Sequence, residues 1–399
     1  MERAELKKLV LATGCAVERG GYVFLQDPKS SAVEQEEFLR VTDLAARGNK
    51  VDDGWLCLPT GGTSGGLRFS RHDERTLSAA AQGFCEHFGV SHVNVLDVLP
   101  PHHVSGFMAR IRCAATGGEH VARSWKQLEA GEWPKLSGTA DGWFLSLVPT
   151  QLQRLLGSAT TVAQLKQFRA VFIGGGPLWP ELAEAAATAD VPVAICYGMT
   201  ETAAMVVAQK PGEFASGDRS CGRPMPHARI EIVEEATGEI LPQGSTGIVR
   251  IVGESVTRGY WSEKAITSLL TDDLGRLDAQ GRLTILGRRD AVIITGGKKV
   301  HPTEVEAALQ ASGEFTDVAV VGVPDEVWGS AVVACFPPRE GKLNTQKIEA
   351  ALAGLAGYKR PKKFVVVSNL PRNAQGKLNR AALVAAALAG VDPREQAGR

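Results

Sequence analysis

The chain has 399 residues, of which 44% are hydrophobic and 22% charged, as is usual for a globular protein of two or three domains. Basic and acidic residues both number 44, so the basic excess typical of nucleic-acid-binding proteins is absent. No run of 18 apolar residues predicts a membrane span. The seven cysteines are scattered without a C-x-x-C pair, which disfavours a zinc site and favours a reducing, cytoplasmic location.

The large first part of the chain shows three successive patterns. Residues 1–50 are predicted to be mostly helical, because SSAVEQEEFLRVTDLAARG combines Ser and Glu capping chemistry with helical spacing. Over 55–260, apolar strands such as HVNVLDVLP, FRAVFIGGG and VPVAICYG alternate with helical segments, which predicts an α/β sheet covered by helices. From about 219, period-two alternation predicts antiparallel strands, ending in a hairpin at DAQGRLTILGRRD.

A smaller α+β unit is predicted after Asp290. AVIITGG, DVAVVGVP and KFVVVSNLP are typical strands, while HPTEVEAALQAS and NRAALVAAALAG are typical helices, the first with Pro302 in its first turn. The predicted fold class is therefore α/β, with a large N-terminal domain over 1–289 and a small C-terminal α+β domain over 290–399. A β-rich subdomain is expected over about 219–289.

One stretch, TGGTSGGLR at 60–68, is rich in glycine and hydroxyl residues and follows the apolar run WLCLP. Glycines allow a backbone to approach a ligand closely, and successive N–H groups can form an anion-binding concavity. Thr60, Thr63 and Ser64 add hydroxyl donors. The stretch matches neither the pattern G-x-x-x-x-G-K-[ST] nor G-x-G-x-x-G. A phosphate-binding loop and a plain flexible turn both remain open on these residues alone.

Two more loops of this kind follow consecutive strands. FIGGGPLW places three glycines at 174–176, and AICYGMTETAA places Thr200 and Glu201 just beyond the next strand. Because ligands of open α/β sheets bind beyond the carboxyl ends of the strands, the three loops are expected to converge on one crevice. Taken singly, the glycines could be a turn and Thr200–Glu201 a helix N-cap.

Charged residues in three later segments are candidates for nucleotide contacts. In TDDLGRLD, Asp273 could hold ribose hydroxyls, and in ILGRRD, Arg288 could hold phosphate or ribose oxygens. The alternative is a solvated hairpin with surface ion pairs. In PRNAQGKLNR, Lys377 stands in a polar loop from which it could deliver a cation to a developing charge, although a lone lysine is more often a surface residue.

In this order, TGGTSGGLR, YGMTE, TDDLGRLD, LGRRDAVIITGGKKVHPTEVE and PRNAQGKLNR resemble the adenylate-forming superfamily of acyl-CoA synthetases, luciferases and peptide-synthetase adenylation domains. The resemblance covers residues 55–382, and five motifs in one order make it specific. Two departures stand out. The family's loop usually ends Gly-x-Pro-Lys, whereas here Leu67 and Arg68 follow Gly66, which keeps a cation of different shape. The chain is also shorter than typical members before the loop, so a reduced first subdomain is expected.

Within the superfamily, LPPHHVSGFMARIR and SLVPTQLQRLL resemble segments of the o-succinylbenzoyl-CoA synthetases of menaquinone and phylloquinone biosynthesis. His103 falls at the histidine of H-[VI]-S-G, and Arg112 falls where that subfamily carries an arginine. The implied substrate has two carboxylates; one must reach ATP, and Arg112 could anchor the other in bidentate fashion. The alternatives are a satisfied core histidine for His103 and a surface ion pair for Arg112.

The resemblance implies ATP, Mg²⁺ and coenzyme A, used in two steps that form an acyl-adenylate and then a thioester. The implied catalytic residues are Lys377, Thr200, Glu201 (which would also hold Mg²⁺) and His103. The implied nucleotide-binding residues are Thr60, Gly61, Gly62, Thr63, Ser64, Gly65, Arg68, Gly174, Gly175, Gly176, Tyr197, Gly198, Met199, Asp273 and Arg288. The implied acid-binding residues are His103, Arg112, Ser146, Pro149, Gln151 and Gly198.

The resemblance also implies a mobile small domain. It would rotate about a hinge at Asp290 after adenylation, withdrawing Lys377 and bringing residues 295–300 towards the thiol path. Lys298, Lys299 and Arg258 are candidate coenzyme A contacts. The expected partners are a carboxylic acid, ATP and coenzyme A, without nucleic acid, and a homo-oligomer is left open. Two alternatives remain: another aryl- or acyl-CoA ligase of this fold, or a catalytically inactive nucleotide-binding relative.

Overall fold

The N-terminal segment contains a β-hairpin between two helices. The structure, a computed structural model, describes residues 1–43, 54–61, 66–138, 142–339, 341–372 and 378–390. The first elements are α1 (Arg3–Leu11), β1 (Ala16–Arg19), β2 (Tyr22–Leu25) and α2 (Ala32–Val41). The prediction of a mostly helical 1–50 is wrong for this hairpin, because Gly20 and Gly21, both at positive φ, form the two-residue turn that joins the strands. The predicted helix is confirmed as α2, which begins with a capping box between Ser31 and Glu34.

A four-stranded sheet carries the glycine-rich stretch at the tip of a hairpin. The sheet continues with β3 (Leu56–Gly61) and β4 (Leu67–His72), in the order β1-β2-β3-β4. Strands β3 and β4 are antiparallel, with Gly61 opposite Leu67. The polar residues after the glycine-rich stretch therefore belong to a strand, where Ser70, Arg71 and His72 are buried. Gly62, Thr63, Ser64 and Gly65 lie outside the described residues.

The central sheet has seven strands in the order β11-β10-β9-β8-β7-β5-β6, and its strands from β5 to β9 are parallel. The strands are β5 (Asn94–Asp97), β6 (His120–Ala122), β7 (Trp143–Leu147), β8 (Ala170–Ile173), β9 (Val193–Met199), β10 (Ala204–Ala208) and β11 (Arg223–Pro224). The accompanying helices are α3 (Glu74–Phe88), α4 (Val104–Thr116), α5 (Trp125–Glu129), α6 (Pro149–Leu156), α7 (Ala159–Leu165) and α8 (Pro180–Thr188). Phe144 and Phe172 stack across β7 and β8 at 5.5 Å between ring centroids, and Phe84 and Phe88 of α3 pack on them. This aromatic layer buries the face of the sheet that α3 covers.

An antiparallel sheet follows, as predicted. It consists of β12 (Ala228–Val233), β13 (Thr246–Gly253), β14 (Ser268–Leu277) and β15 (Leu283–Arg288) in sequential order. Asp273 of β14 lies opposite Arg288 of β15, so the two predicted nucleotide contacts are cross-strand neighbours.

The C-terminal part is a smaller α+β unit. Its elements are β16 (Ile293–Thr295), β17 (Lys298–Val300), α9 (Pro302–Ala311), β18 (Ala319–Asp325), β19 (Gly329–Phe336), α10 (Thr345–Leu352), β20 (Lys363–Val366) and α11 (Arg380–Ala389). Strands β18, β19 and β20 form a sheet, and Phe315, Phe336 and Phe364 pack in its core. The predicted fold class is confirmed. The domain limits at 289 and 290 and the mobility of the small domain stay predictions.

None of the described helices is both long and apolar enough to cross a lipid bilayer.

An ion pair fastens the segment before Tyr260 to the start of α3. Residues 258–261 run along β4 as an added extended segment, bonded through Arg258 N to Arg71 O and Trp261 N to Phe69 O. Arg258 donates to both carboxylate oxygens of Asp73, at 2.7 and 3.3 Å. Asp73 also caps α3 by accepting from Thr76 N at 2.9 Å. Burial alone would raise the pKa of Asp73, but the bonds from Arg258 and Thr76 hold it below its usual value.

We expect Asp73→Ala to lower the free energy of unfolding by about 2–3 kcal/mol, because it removes a helix cap and leaves Arg258 without its counter-ion. Asp73→Asn keeps an acceptor for the cap but loses the charge, so it should lose about half as much. Urea denaturation of the three proteins measures the difference. Equal stability of all three would mean that neither the cap nor the pair contributes.

Candidate active site

The loops that follow β8 and β9 meet at the carboxyl edge of the central sheet. Gly174 is so close to β9 that an added Cβ would lie 2.9 Å from Cys196 Sγ. Gly175 has φ +77°, a left-handed conformation that favours glycine. A Cβ on Gly176 would lie 3.9 Å from Pro149 at the first turn of α6. The glycine segment, the start of α6 and the end of β9 are therefore neighbours, as the expected crevice requires.

A hydrogen bond joins the end of β9 to the antiparallel sheet. The hydroxyl of Tyr197 donates to Asp273 Oδ2 at 2.7 Å across 76 residues of sequence. Burial and the nearby Asp273 carboxylate raise the pKa of Tyr197, so its phenol stays protonated and remains the donor. Arg288 Nη1 lies 3.8 Å from Asp273 Oδ1. The structure thus brings together three residues that the sequence assigned to the nucleotide.

The turn after β9 is tightly built. A Cβ on Gly198 would lie 2.0 Å from Ala204 O, so only glycine fits there. Ala203 and Ala204 have φ values of 52° and 76°, a conformation that costs energy in residues other than glycine. Thr202 Oγ1 donates to Ala204 O at 2.6 Å and holds this turn. The backbone at Gly198 and Met199 is therefore rigidly placed.

The carboxylate of Glu201 is buried and joins the first loop to the third. Its Oε1 accepts hydrogen bonds from Thr60 Oγ1 at 3.0 Å and from the Tyr260 hydroxyl at 2.9 Å. Thr60 was predicted from its loop, and Glu201 from the motif after β9. Tyr260 was missed, because it stands between motifs and nothing in its local pattern marks it.

Thr200 is held by a buried histidine that sequence reasoning also missed. His72 Nε2 donates to the Thr200 carbonyl at 2.8 Å, and its Nδ1 lies 3.1 Å from Thr76 Oγ1. A carbonyl can only accept, so the proton is on Nε2. Burial lowers the pKa of His72 to about 4, a shift that the Thr200 bond and Asp73 partly oppose and Arg258 slightly deepens. The ring is therefore neutral at pH 7.

Arg112 of α4 is buried, and no described carboxylate pairs with it. Only 4% of its surface is exposed, and its Nε and Nη2 have no hydrogen-bond partner among the described residues. The guanidinium lies over the Phe84 ring at 4.5 Å and near the thiols of Cys85 and Cys196. Burial raises the pKa of Cys196 to about 12, so that thiol is neutral and does not balance the charge. The alternative of a surface ion pair for Arg112 is wrong.

The remaining candidates for the acid pocket are less distinctive. His103 is half-buried at the start of α4, with its ring 4.5 Å from that of His102. Ser146 is half-buried in β7. Pro149 is the first residue of α6, and Gln151 Oε1 accepts from Val148 N at 3.0 Å, a capping bond that engages its side chain.

Arg68 does not stand free in this structure. Its guanidinium stacks on the Tyr260 ring at 3.7 Å and pairs with Glu263 at 2.7 Å. Lys377, the predicted catalytic cation, lies outside the described residues.

Asp290, the predicted hinge, is held in an ion pair, whereas two of the candidate coenzyme A contacts are exposed lysines. Both carboxylate oxygens of Asp290 accept from Arg288, at 2.8 and 2.9 Å. Arg258 is engaged by Asp73, which gives it a structural partner, while Lys298 and Lys299 are exposed on β17. The hinge and the coenzyme A contacts stay predictions.

The donor set suits a magnesium ion that is held mainly by a nucleotide. Over the described ranges, no three His, Cys, Asp or Glu side chains cluster as a metal site. Glu201 offers a single buried carboxylate whose two hydroxyl donors both bond Oε1. Mg²⁺ is often bound through one or two carboxylates together with phosphates and water, so the residues fit it.

A cavity of about 350 Å³ lies elsewhere, lined in part by Trp133, Trp143 and Phe168. Trp143 is the first residue of β7, so this cavity is at the amino edge of the parallel strands. Ligands of open α/β sheets bind at the carboxyl edge, and the converging residues described above lie there.

Residues 4–261 match the AMP-binding enzyme family, and residues 304–377 match the AMP-binding enzyme C-terminal domain. The chain is 29% identical to the 2-succinylbenzoate–CoA ligase of Enterococcus faecalis over 389 residues, which are 95% of this chain and 78% of that ligase. It is 32% identical to the indoleacetate–CoA ligase of Aromatoleum aromaticum, over 72% of this chain and 58% of that ligase.

The fold is similar to that of the o-succinylbenzoate–CoA synthetase of Bacillus subtilis. Its complex with the acyl-adenylate intermediate superposes with a TM-score of 0.75 at 25% identity, over 95% of this chain and 80% of that one. Its complex with ATP and magnesium superposes with a TM-score of 0.72 at 27% identity, over 84% and 70%.

We expect the free energy of unfolding to decrease as the pH falls, because His72 binds a proton more readily in the unfolded chain. Its folded-state pKa is depressed to about 4, so its contribution is complete above the unfolded value of 6.5 and is lost progressively between pH 6.5 and 4. His72→Gln, which keeps an amide donor, should reduce the slope of unfolding free energy against pH by about 1 kcal/mol per unit in this window. The same change at the exposed His92 is the control. Identical slopes for wild type and His72→Gln in urea unfolding would refute a buried neutral His72.

Proposed function

This chain belongs to the AMP-binding enzyme family, and on that premise we propose that it is an AMP-forming acid–thiol ligase acting on o-succinylbenzoate and coenzyme A. The observation that carries the choice of acid is the buried guanidinium of Arg112, which has no counter-ion in the described part of the chain. The similarity to the ligase of Enterococcus faecalis supports the same choice.

In the first step, a carboxylate oxygen of the acid attacks the α-phosphorus of ATP. A new P–O bond forms, the bond to the β-phosphate oxygen breaks, and pyrophosphate leaves. Both reactants are anions, so the protein must supply positioning and positive charge. Mg²⁺ at Glu201 would neutralise phosphate charge when bound. Lys377 is proposed to bridge the carboxylate and the phosphate, as its motif position implies.

The neighbours of Tyr197 are suited to hold the nucleoside. Gly174–Gly176 and the Tyr197 ring are proposed to frame the adenine, since the glycines leave the crevice open. Asp273 is proposed to accept from the ribose hydroxyls, exchanging or sharing its bond from Tyr197. Arg288 would leave its pairs with Asp272 and Asp290 in part to reach the nucleotide.

In the second step, the sulfur of coenzyme A attacks the acyl carbon. The C–S bond forms, the bond from the acyl carbon to the AMP oxygen breaks, and the thiol proton is released. We propose that the small domain rotates about Asp290 between the steps, moving Lys377 away and residues 295–300 towards the thiol. Homo-oligomer formation, the absence of nucleic-acid binding and a cytoplasmic location remain predictions.

The charge of Arg112 explains why a diacid is the favoured substrate. Burial lowers its pKa to about 10, so the guanidinium is still a cation at pH 7. An uncompensated buried cation is costly, and a carboxylate with two oxygens can pair with it in bidentate geometry. The Phe84 ring and the thiols of Cys85 and Cys196 make the surroundings of the guanidinium apolar, which strengthens its attraction for an anion.

A second candidate is an aryl-CoA ligase for an acid with one carboxylate. The apolar surroundings of Arg112 and the similarity to the indoleacetate–CoA ligase favour it. It leaves the charge of Arg112 without a partner, which is why the diacid is preferred.

ATP–pyrophosphate exchange over a panel of acids separates the candidates. We expect o-succinylbenzoate to be preferred over benzoate, indoleacetate and medium-chain fatty acids. Arg112→Met should raise KM for o-succinylbenzoate about 10- to 100-fold and leave KM for ATP unchanged, because it removes a charged bidentate contact. Arg112→Lys keeps the charge, so its KM for o-succinylbenzoate should lie between the values of the wild type and of Arg112→Met.

Preference for a monoacid would reject o-succinylbenzoate as the substrate. An unchanged KM in Arg112→Met would remove Arg112 from the acid site. If none of the acids supports ATP–pyrophosphate exchange, the result would favour the alternative that the chain is a catalytically inactive relative.

We expect Lys377→Ala to slow adenylation about 10²- to 10³-fold, because a cation at the reacting centre is lost. Thioester formation from preformed acyl-adenylate and coenzyme A should stay near the wild-type rate, since Lys377 has been withdrawn by then. Single-turnover assays of each half-reaction measure both effects, with Lys347→Ala, which changes an exposed lysine of α10, as the control. Equal loss in the two half-reactions would contradict the two-pose mechanism.

A further inference from the structure

The geometry points to Tyr260 as the residue that positions the carboxylate of Glu201 for magnesium, and we propose this role for it. The inference rests on the proposed nucleotide chemistry but not on the identity of the acid. Tyr260 donates to Glu201 Oε1 at 2.9 Å, and Thr60 donates to the same oxygen at 3.0 Å. Two donors on one oxygen fix the rotation of the carboxylate and leave Oε2 to face a ligand.

The segment that carries Tyr260 is hydrogen-bonded to the turn that carries Glu201. Thr257 N donates to the Glu201 carbonyl at 2.8 Å, and Thr257 Oγ1 donates to Arg71 O at 2.8 Å. Tyr260 itself pairs with Ser70 of β4 in an isolated antiparallel bridge. The hydroxyl is therefore delivered to Glu201 from a segment that is bonded to both β4 and the turn after β9.

Tyr260 is a hydrogen-bond donor at neutral pH. An ordinary phenol has a pKa of about 10 and is therefore protonated at pH 7. A protonated phenol beside a carboxylate donates a charge-assisted hydrogen bond, which is stronger than one between neutral groups.

Arg68 ties this arrangement to the glycine-rich hairpin. Its guanidinium stacks on the Tyr260 ring at 3.7 Å, and Glu263 holds it from the other side at 2.7 Å. An arginine can stack and form a forked pair at once, whereas the ammonium of a lysine is a compact point charge. The arginine that stands where the family usually has lysine thus braces the ring that orients Glu201.

The test measures how much magnesium strengthens nucleotide binding. Calorimetry gives the Kd of α,β-methylene-ATP with saturating Mg²⁺ and with excess EDTA, for wild type and Tyr260→Phe. We expect the magnesium-dependent gain to fall about tenfold in Tyr260→Phe, with the Kd in EDTA unchanged, because only the orientation of a metal ligand is lost. Tyr358→Phe, in the C-terminal α+β unit, is the matched control and should behave as wild type. Thermal unfolding without ligand checks that each variant is folded.

Equal weakening in Mg²⁺ and in EDTA would show a merely structural role and overturn the proposal, as would an unchanged gain. If Tyr260→Phe fails to fold, Thr60→Val tests the same oxygen and should lower the same gain. In the wild-type background, Arg68→Met should lower the magnesium-dependent gain. In the Tyr260→Phe background it should lower the gain no further. Additive losses would mean that Arg68 acts on phosphate directly. A wild type without any magnesium-dependent gain would overturn the proposed ligase chemistry as well, whereas the outcomes above concern Tyr260 alone.

Discussion

One carboxylate oxygen, Oε1 of Glu201, holds together three segments that are far apart in the chain. Thr60 comes from the hairpin of the first sheet, Glu201 from the turn after β9, and Tyr260 from the extended segment beside β4. The distances along the sequence are 141 and 59 residues. Because the carboxylate is buried, each hydroxyl bond is also needed to offset its removal from water. The glycine-rich hairpin therefore stays beside the nucleotide crevice.

A second ring of polar contacts supports this junction. His72 holds the Thr200 carbonyl, and Arg258 holds the cap of α3 through Asp73. These residues lie on or beside β4. The strand after the glycine-rich stretch is therefore bonded to its surroundings and does not continue a flexible turn. Its buried Arg71 and His72 side chains form hydrogen bonds to neighbouring elements, which offsets the cost of burying them.

The surroundings of Arg112 have the opposite character. Arg112 is buried beside Phe84 and neutral thiols, and its charge has no partner among the described residues. A buried cation in this state is a candidate partner for an anion that arrives from outside, and this is the basis for proposing Arg112 as the anchor of the acid.

The sequence by itself determined the family resemblance and the α/β alternation. It also marked most of the candidate nucleotide contacts, because glycine, hydroxyl and acidic residues at strand ends follow local rules. It failed at β1 and β2, although Gly20 and Gly21 between apolar residues are a hairpin signal. Only the tertiary structure decided that Tyr260 bonds Glu201, that His72 bonds Thr200, and that Arg112 is buried without a counter-ion among the described residues. Those facts depend on which distant segments pack together, and no local pattern in the chain records that.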